Sequence, residues 1–293
     1  MKEILFSVII PTYNRQYSLC KAIDSVLNQS DKSFELIVVD DGSTDGTQSF
    51  IETKYSSQIK YFYQSNQGVC TARNYGAIQA QGKYLVFLDS DDWLEPSCLE
   101  NYHNAIGQDE VKLIIGTITY FSEQGSVLRI KIHVIKGKNY GQPLSGSFAI
   151  DRKIFLKQSG YDPRLTYAEN TELFMRMRLT GEIQSSDVRI VETSGVCITQ
   201  EDVSERKSRY AIKKYESIKY LLEKYKAHFA QYPLQFINFK RIQAISAVQM
   251  DRLDEAKACM MEVLRVTPFS WKSQLQYWFI SLLPSLAKRY YGR

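Results

Sequence analysis

No stretch of this chain reaches the roughly 18 consecutive apolar residues that a bilayer-spanning helix needs. Cysteine is sparse: Cys20, Cys70, Cys98, Cys197 and Cys259 are scattered, odd in number and without C-x-x-C spacing. That argues against a zinc site and for reduced thiols in a cytosolic setting. Only three histidines occur, His103, His133 and His228, and they form no ligand pattern. Neither G-x-G-x-x-G nor G-x-x-x-x-G-K-[ST] is present, which counts against a dinucleotide fingerprint and a P-loop ATPase. Met1-Lys2-Glu3 leads straight into a strand-like segment, so no signal peptide is expected.

What is present is an ordinary globular composition, 44% apolar and 24% charged over 293 residues. That length holds one large domain or a domain with an appendage. The net charge of +5 conceals an asymmetry. Residues 1–204 carry 20 Lys/Arg against 25 Asp/Glu, a balance of −5; residues 205–293 carry 17 against 7, a balance of +10. The second region is therefore expected to meet something anionic. Nucleic acid lacks a supporting motif, and an anionic membrane surface fits better.

Strand and helix signals alternate through the first half. Phe6-Ser-Val-Ile-Ile10 and Phe34-Glu-Leu-Ile-Val-Val39 read as buried strands, with an amphipathic helix over 16–28 between them. A short strand is expected at 59–63, a helix at 69–79 and a strand at 84–88. Beyond it come β segments at 111–118, 127–135 and 145–150, then helices at 151–158 and 169–179. After Ser204 everything reads helical, including a pair at 234–249 and 253–266 that faintly resembles a tetratricopeptide unit and is read as packing. The last stretch, 269–291, is dense in aromatic residues and flanked by Lys272, Lys288 and Arg289. Two readings stand level: an interfacial helix in anionic headgroups, or a helix docked on the core.

The most informative segment is Tyr84-Leu-Val-Phe-Leu-Asp-Ser-Asp-Asp-Trp93. An apolar run ends abruptly in Asp89, Asp91 and Asp92, at the carboxyl end of a strand where ligands of open α/β sheets gather. Such a cluster suits a hard divalent cation, Mg²⁺ or Mn²⁺, shared with substrate phosphates. Asp92, with Glu95 three residues on, is expected to cap the next helix. Pro11-Thr12-Tyr13-Asn14-Arg15 and Asp40-Asp41-Gly42 follow neighbouring strands. Tyr13 can stack on a base, Asp41 can accept an imide N–H or a ribose hydroxyl, and Asp91 can hold a metal that bridges two phosphates. These are parts for a nucleoside diphosphate.

Ser7-Val-Ile-Ile-Pro-Thr-Tyr-Asn-Arg15, Ile37-Val-Val-Asp-Asp-Gly-Ser-Thr-Asp-Gly-Thr47, Gln67-Gly-Val-Cys-Thr-Ala-Arg-Asn74 and Phe87-Leu-Asp-Ser-Asp-Asp92 resemble the family 2 glycosyltransferases. Gly146-Ser147-Phe148 and Lys157-Gln-Ser-Gly-Tyr-Asp162 resemble that family's acceptor-side segment. The resemblance covers roughly residues 4–204. It implies a GT-A fold, a mostly parallel Rossmann-like sheet with helices on both faces, to which this chain adds an all-helical extension. The expected domains are 1–204, with a nucleotide-binding half at 1–100 and an acceptor-binding half at 101–204, and a basic helical region at 205–293.

The resemblance further implies inverting transfer of a sugar from a nucleoside diphosphate donor, UDP-linked by expectation, to a saccharide or lipid-linked acceptor in polysaccharide or glycoconjugate assembly. Donor contacts fall on Pro11, Thr12, Tyr13, Arg15, Asp41, Arg73, Asp89 and Ser90, and the metal on Asp91 and Asp89. The expected location is cytoplasmic, peripheral on the inner face of the cell membrane. Two departures stand out. Where relatives show Glu-Asp, with the Asp as catalytic base, this chain reads Glu169-Asn170-Thr171-Glu172. An amide at Asn170 accepts no such proton, leaving Glu169, which is favoured, or Glu172, or else a sugar-nucleotide-binding pseudo-enzyme. Near Val196-Cys-Ile-Thr-Gln200, where many relatives place a metal-ligating histidine, this chain offers Thr199 or Gln200.

Overall fold

The structure, a computed structural model, describes residues 3–107, 111–132, 143–199 and 207–291. Two compact units emerge. One holds the described residues up to Pro163 and those from Glu169 to Thr199; the other holds Arg164–Ala168 and the described residues from 207 onward.

The first unit is built on one mixed sheet. In chain order its elements are β1 (Phe6–Thr12), α1 (Gln16–Leu27), β2 (Phe34–Asp40), α2 (Thr47–Tyr55), β3 (Lys60–Tyr63), α3 (Val69–Gln79), β4 (Tyr84–Phe87), β5 (Trp93–Leu94), α4 (Cys98–Ile106), β6 (Leu113–Phe121), β7 (Val127–Lys131), β8 (Phe148–Asp151), α5 (Arg152–Lys157), α6 (Glu169–Thr180) and β9 (Val188–Thr199). The strands lie in the order β3-β2-β1-β4-β8-β6-β9-β5, with β7 pairing β6. From β3 to β4 every pairing is parallel. Beyond β4 the sheet is mixed, with β8 antiparallel to both β4 and β6, and β9 parallel to β6. The nucleotide-side half is thus wholly parallel, and the second half adds the mixed pairings expected of the β segments after residue 111.

Alternation along the strands supplies a core on each face. Phe6, Val8, Ile10, Leu36, Val38, Tyr84 and Val86 pack with α1, α2 and α4 residues such as Leu19, Ile23, Ile51 and Leu99. Ile9, Ile37, Val39, Leu85 and Phe87 pack on the other side with Cys70, Ala72 and Ala77 of α3, Phe155 of α5 and Phe174 of α6.

One local expectation fails. Asp92 caps no helix: its N–H donates to the Asp89 carbonyl in a turn. Trp93–Leu94 then pairs antiparallel with Cys197 and Val196, and α4 begins only at Cys98. Leu94 is buried, so sheet pairing of an apolar dipeptide overrides the capping pattern. The strand expected over 127–135 ends at Lys131; 133–135, and with them His133, lie outside the described residues, as does Gln200.

At the amino ends of β1, β2 and β4 sits a buried polar knot. Glu35 accepts from Ser7 Oγ (2.5 Å), Gln81 N (2.5 Å) and Lys60 Nζ (2.6 Å). Ser7 Oγ in turn accepts from Gly82 N at 2.9 Å. Burial alone would raise the Glu35 pKa, but the Lys60, Ser7 and Gln81 hydrogen bonds prevail and hold it below its ordinary 4.5.

The second unit comprises α7 (Lys207–Lys224), α8 (Lys226–Gln231), α9 (Pro233–Gln249), α10 (Leu253–Val266), α11 (Trp271–Leu282) and α12 (Pro284–Tyr291). Its core gathers Tyr215, Ala244, Ala247, Val248, Ala256, Met260, Val263, Ile280 and Ala287. Among the described residues no helix is long and apolar enough to cross a membrane.

Glu35→Ala is expected to destabilise the protein by roughly 3 kcal/mol in urea unfolding, because several inward donors lose their acceptor. A depressed folded-state pKa contributes stability that is complete above the ordinary glutamate range and disappears as pH falls through the folded value. The wild-type chain should therefore lose stability on acidification below about pH 4.5, and the variant should lose less over the same interval.

Candidate active site

The loops after β1, β2 and β4 and the start of α3 are tied to one another at the carboxyl ends of the parallel strands. Asp41 N donates to the Thr12 carbonyl (2.8 Å). Asn14, in a left-handed conformation at φ 51°, holds the next loop from both sides: its N–H donates to Ser43 Oγ (2.9 Å), and its Oδ1 accepts from Thr44 N (2.8 Å). Arg15 reaches Asp91 across the site (3.4 Å). Pro11 and Thr12 are buried, whereas the Tyr13 ring stands half exposed. The Thr12 hydroxyl is buried with no hydrogen-bond partner among the described residues.

The two adjacent aspartates divide their work. Asp40 is structural, accepting from Ser43 N (2.7 Å) and the Tyr61 hydroxyl (2.8 Å). Asp41 accepts from Gln64 Nε2 (2.7 Å), Gln67 N (2.9 Å) and Gly68 N (2.8 Å), so it fixes the residues that open α3. A carboxylate has about four acceptor positions, and these three donors leave one. Gly42 makes the approach possible: at φ +87° a side chain would be strained, and its Cβ would lie 2.8 Å from Asn66 N.

The centre of the site is Arg73, projecting from α3 with its side chain almost wholly buried. Its Nη2 donates to Asp89 Oδ1 (2.5 Å) and its Nη1 to Glu169 Oε1 (3.1 Å), while the Tyr161 ring packs against the guanidinium at 5.3 Å. Burial would lower its pKa, but the Asp89 charge, followed by Tyr161 and Glu169, more than offsets that and keeps the cation charged. Asn74, one residue along α3, clasps the Tyr161 backbone from both sides, Nδ2 to the carbonyl and Oδ1 from the N–H, each at 2.8 Å. The Tyr161 hydroxyl then donates to Asn170 Oδ1 (2.8 Å).

Beside this pair lies a run of three acidic residues broken by Ser90. Ser90 is buried and Asp91 exposed. Asp92 is buried, and burial, together with the charges of Asp89 and Asp91, pushes its pKa up to about 9. No cluster of three or more His, Cys, Asp or Glu side chains fit to hold a metal occurs among the described residues. Mg²⁺-type sites commonly take only one or two carboxylates and fill the rest with substrate phosphates and water. A cation bound in that mode would be held by Asp91 and Asp89, which here pair with Arg15 and Arg73. Thr199, the neutral residue at the expected histidine position, ends β9 half-buried.

The carboxylates near the α6 start are not equivalent. Glu169 keeps 18% side-chain exposure, whereas Glu172 has none and is gripped by Arg176 through both oxygens (3.0 and 2.8 Å). Arg176 also donates to the Gln158 and Gly160 carbonyls. Glu172 therefore braces the turn before Tyr161 and is withdrawn as a candidate base. Asn170 is buried and engaged by Tyr161. Nothing in the sequence distinguishes Tyr161, Asn74 and Gln64 as site residues, because their roles depend on contacts between distant segments.

Residues 7–166, over half the chain, match the family model described as glycosyl transferase family 2. The chain belongs to that family. The family 2 match stops three residues short of Glu169, so the Glu-Asn departure lies beyond it. The Streptococcus pneumoniae glycosyltransferase GlyA is 30% identical over 154 residues, 52% of this chain and 22% of that protein. The minor teichoic acid biosynthesis protein GgaB of Bacillus subtilis is 37% identical over 125 residues, 41% of this chain and 14% of that protein. The chain thus spans less than a quarter of the length of either relative. Among solved structures, S. aureus TarS superimposes with a TM-score of 0.58 at 20% identity, over 94% of this chain and 54% of that one. Its 1–349 fragment in complex with UDP-GlcNAc gives 0.55 at 19% identity, covering 98% and 91%. At that identity the likeness establishes the fold, a GT-A-like arrangement of mixed sheet and flanking helices.

Arg73→Ala leaves Asp89 and Glu169 without their shared cation. Removing one partner of a buried ion pair costs about 3–5 kcal/mol, and a loss of that size is expected in urea unfolding.

Proposed function

We propose that this chain transfers a sugar, hexosyl or N-acetylhexosaminyl, from a nucleoside diphosphate donor to an acceptor hydroxyl with inversion, in polysaccharide or glycoconjugate assembly. The observation that carries this reading is the Arg73 bridge. It joins Asp89 at the tip of β4, on the donor side, to Glu169 at the start of α6, on the acceptor side. On this reading the half-exposed Tyr13 would stack on the base, the remaining acceptor position of Asp41 would take a nucleoside polar group, and Arg15 would meet the diphosphate. The UDP-GlcNAc bound by TarS favours a UDP-linked donor, and the part of GgaB in minor teichoic acid biosynthesis favours a cell-surface polymer as acceptor.

Chemically, the acceptor oxygen attacks the anomeric carbon from the face opposite the diphosphate. The bond from that carbon to the diphosphate oxygen breaks, and the nucleoside diphosphate leaves with the electron pair. The acceptor proton passes to Glu169, the carboxylate at the α6 start that reaches solvent. Arg73 orients Glu169 and Asp89 together. A divalent cation held by Asp91 and Asp89 would supply Lewis-acid stabilisation of the charge that builds on the diphosphate. General-base catalysis of this kind is typically worth about 10²–10⁴-fold.

A second reading has its own observation. Asn170 occupies the usual base position, buried and bonded to Tyr161, and Glu169 is already engaged by Arg73. On that reading the chain binds a sugar nucleotide without turning it over.

Release of UDP from UDP-sugars in the presence of Mn²⁺ and an acceptor separates the two. Glu169→Gln should lower kcat about 10²–10⁴-fold while UDP binding by calorimetry persists. Wild-type donor binding without turnover, with activity appearing in Asn170→Asp, would favour the second reading. Chelation with EDTA should weaken UDP binding and abolish its thermal stabilisation, and Mn²⁺ should restore both; binding indifferent to the ion would remove the metal from the account.

A further inference from the structure

Helix α11 has apolar surface on two opposite sides, and the helical unit uses only one. At about 100° per residue, Ser273, Tyr277 and Ile280 share a face. Ser273 and Ile280 are buried, and Tyr277 packs on the core formed with α9, α10 and α12. Trp271, Leu275, Trp278 and Leu282 fall within an arc of about 60° on the reverse side, where they are 72%, 58%, 53% and 67% exposed. Phe269, just before the helix, is 95% exposed, and Leu286 and Tyr290 carry the exposed apolar surface onto α12. An array this large and this aromatic marks an interaction surface, because single exposed apolar residues are common but aligned ones are not.

Charge identifies the occupant. From residue 263 to 293 the chain has no aspartate or glutamate and five basic residues: Arg265, Lys272, Lys288, Arg289 and Arg293. Lys272 at the start of α11 and Arg289 near the end of α12 are exposed, while Lys288 is paired with Asp251 (2.8 Å). Tryptophan and tyrosine favour the boundary between hydrocarbon and water. Twelve residues of α-helix extend about 18 Å, too short to cross a bilayer but suited to lying along it. Two copies of this face packed together would bring like-charged rims into apposition, which opposes self-association.

We propose that α11 and α12 dock in the plane of an anionic phospholipid surface. Trp271, Leu275, Trp278 and Leu282 enter the upper acyl region, and Lys272 and Arg289 meet lipid phosphates. The inference does not rest on the transfer chemistry, and its test reads lipid binding alone.

Co-sedimentation of the 293-residue chain with vesicles of phosphatidylglycerol and phosphatidylcholine in equal parts, against phosphatidylcholine alone, tests it. The chain should pellet with the anionic vesicles, less so at high salt, and far more weakly with the neutral ones. The triple variant Trp271→Ser, Trp278→Ser, Leu282→Ser should lower the partition coefficient about 100-fold with unchanged thermal melting, since all three side chains face solvent. Lys272→Gln with Arg289→Gln should lower it about 10-fold. Failure of the native chain to bind anionic vesicles, or undiminished binding by the triple variant, would overturn the proposal. So would a dimer, seen by sedimentation velocity and abolished by the triple variant, in a chain that ignores vesicles; that result assigns the face to a second copy.

Discussion

A single buried guanidinium holds this site together. Arg73 lies where charge is costly to bury, and it is tolerated there because two carboxylates from distant segments, Asp89 and Glu169, converge on it. Sixteen and 96 residues separate them from Arg73 along the chain. The arrangement works in both directions. The carboxylates keep the arginine charged, and the arginine sets the spacing between the tip of a sheet strand and the first turn of α6. Tyr161 covers the cation and is itself located by Asn74, so one helix, α3, supplies both the charge and the clamp.

The parallel half of the sheet explains why such a hub can form. Its strands all end on one side, and at the opposite ends the Glu35 knot joins β1, β2 and the approach to β4 through Ser7, Gln81 and Gly82. One end of the sheet thus satisfies its polar groups internally. At the other end Asp41 directs three of its acceptor positions to the residues leading into α3, and Asp89 and Asp91 pair with Arg73 and Arg15.

The alternation of strands and helices was legible because burial on both faces leaves long apolar runs, and the loops at the strand tips were legible because Pro11-Thr12-Tyr13, Asp40-Asp41-Gly42 and Asp89-Ser90-Asp91 cannot belong to those runs. Four kinds of detail were not. The capping pattern at Asp92 gave way to sheet pairing of Trp93–Leu94 with β9, a strand about 100 residues away in the chain. Glu172 and Glu169 look alike three positions apart, and only packing shows that Arg176 has sealed one of them. The sequence marks Asp41 as a ligand contact, and only the fold reveals that it supports the backbone before α3. Tyr161 carries no chemical signature of its own, and its importance comes from being pinned between Asn74, Arg73 and Asn170.

Asn170 gives this site its particular character. An amide there accepts the phenol hydroxyl of Tyr161, whose ring packs on Arg73, which is a geometric role. The central claim is that loops from separate strand tips jointly grip a nucleoside diphosphate beside the Arg73 hub. A crystal structure of the protein with UDP and Mn²⁺ tests it most directly. The account predicts the uracil against Tyr13 near Asp41, and the diphosphate beside Asp89 and Asp91 with the cation between them. UDP bound away from the β1, β2 and β4 tips, or no nucleotide at saturating concentration, would contradict it.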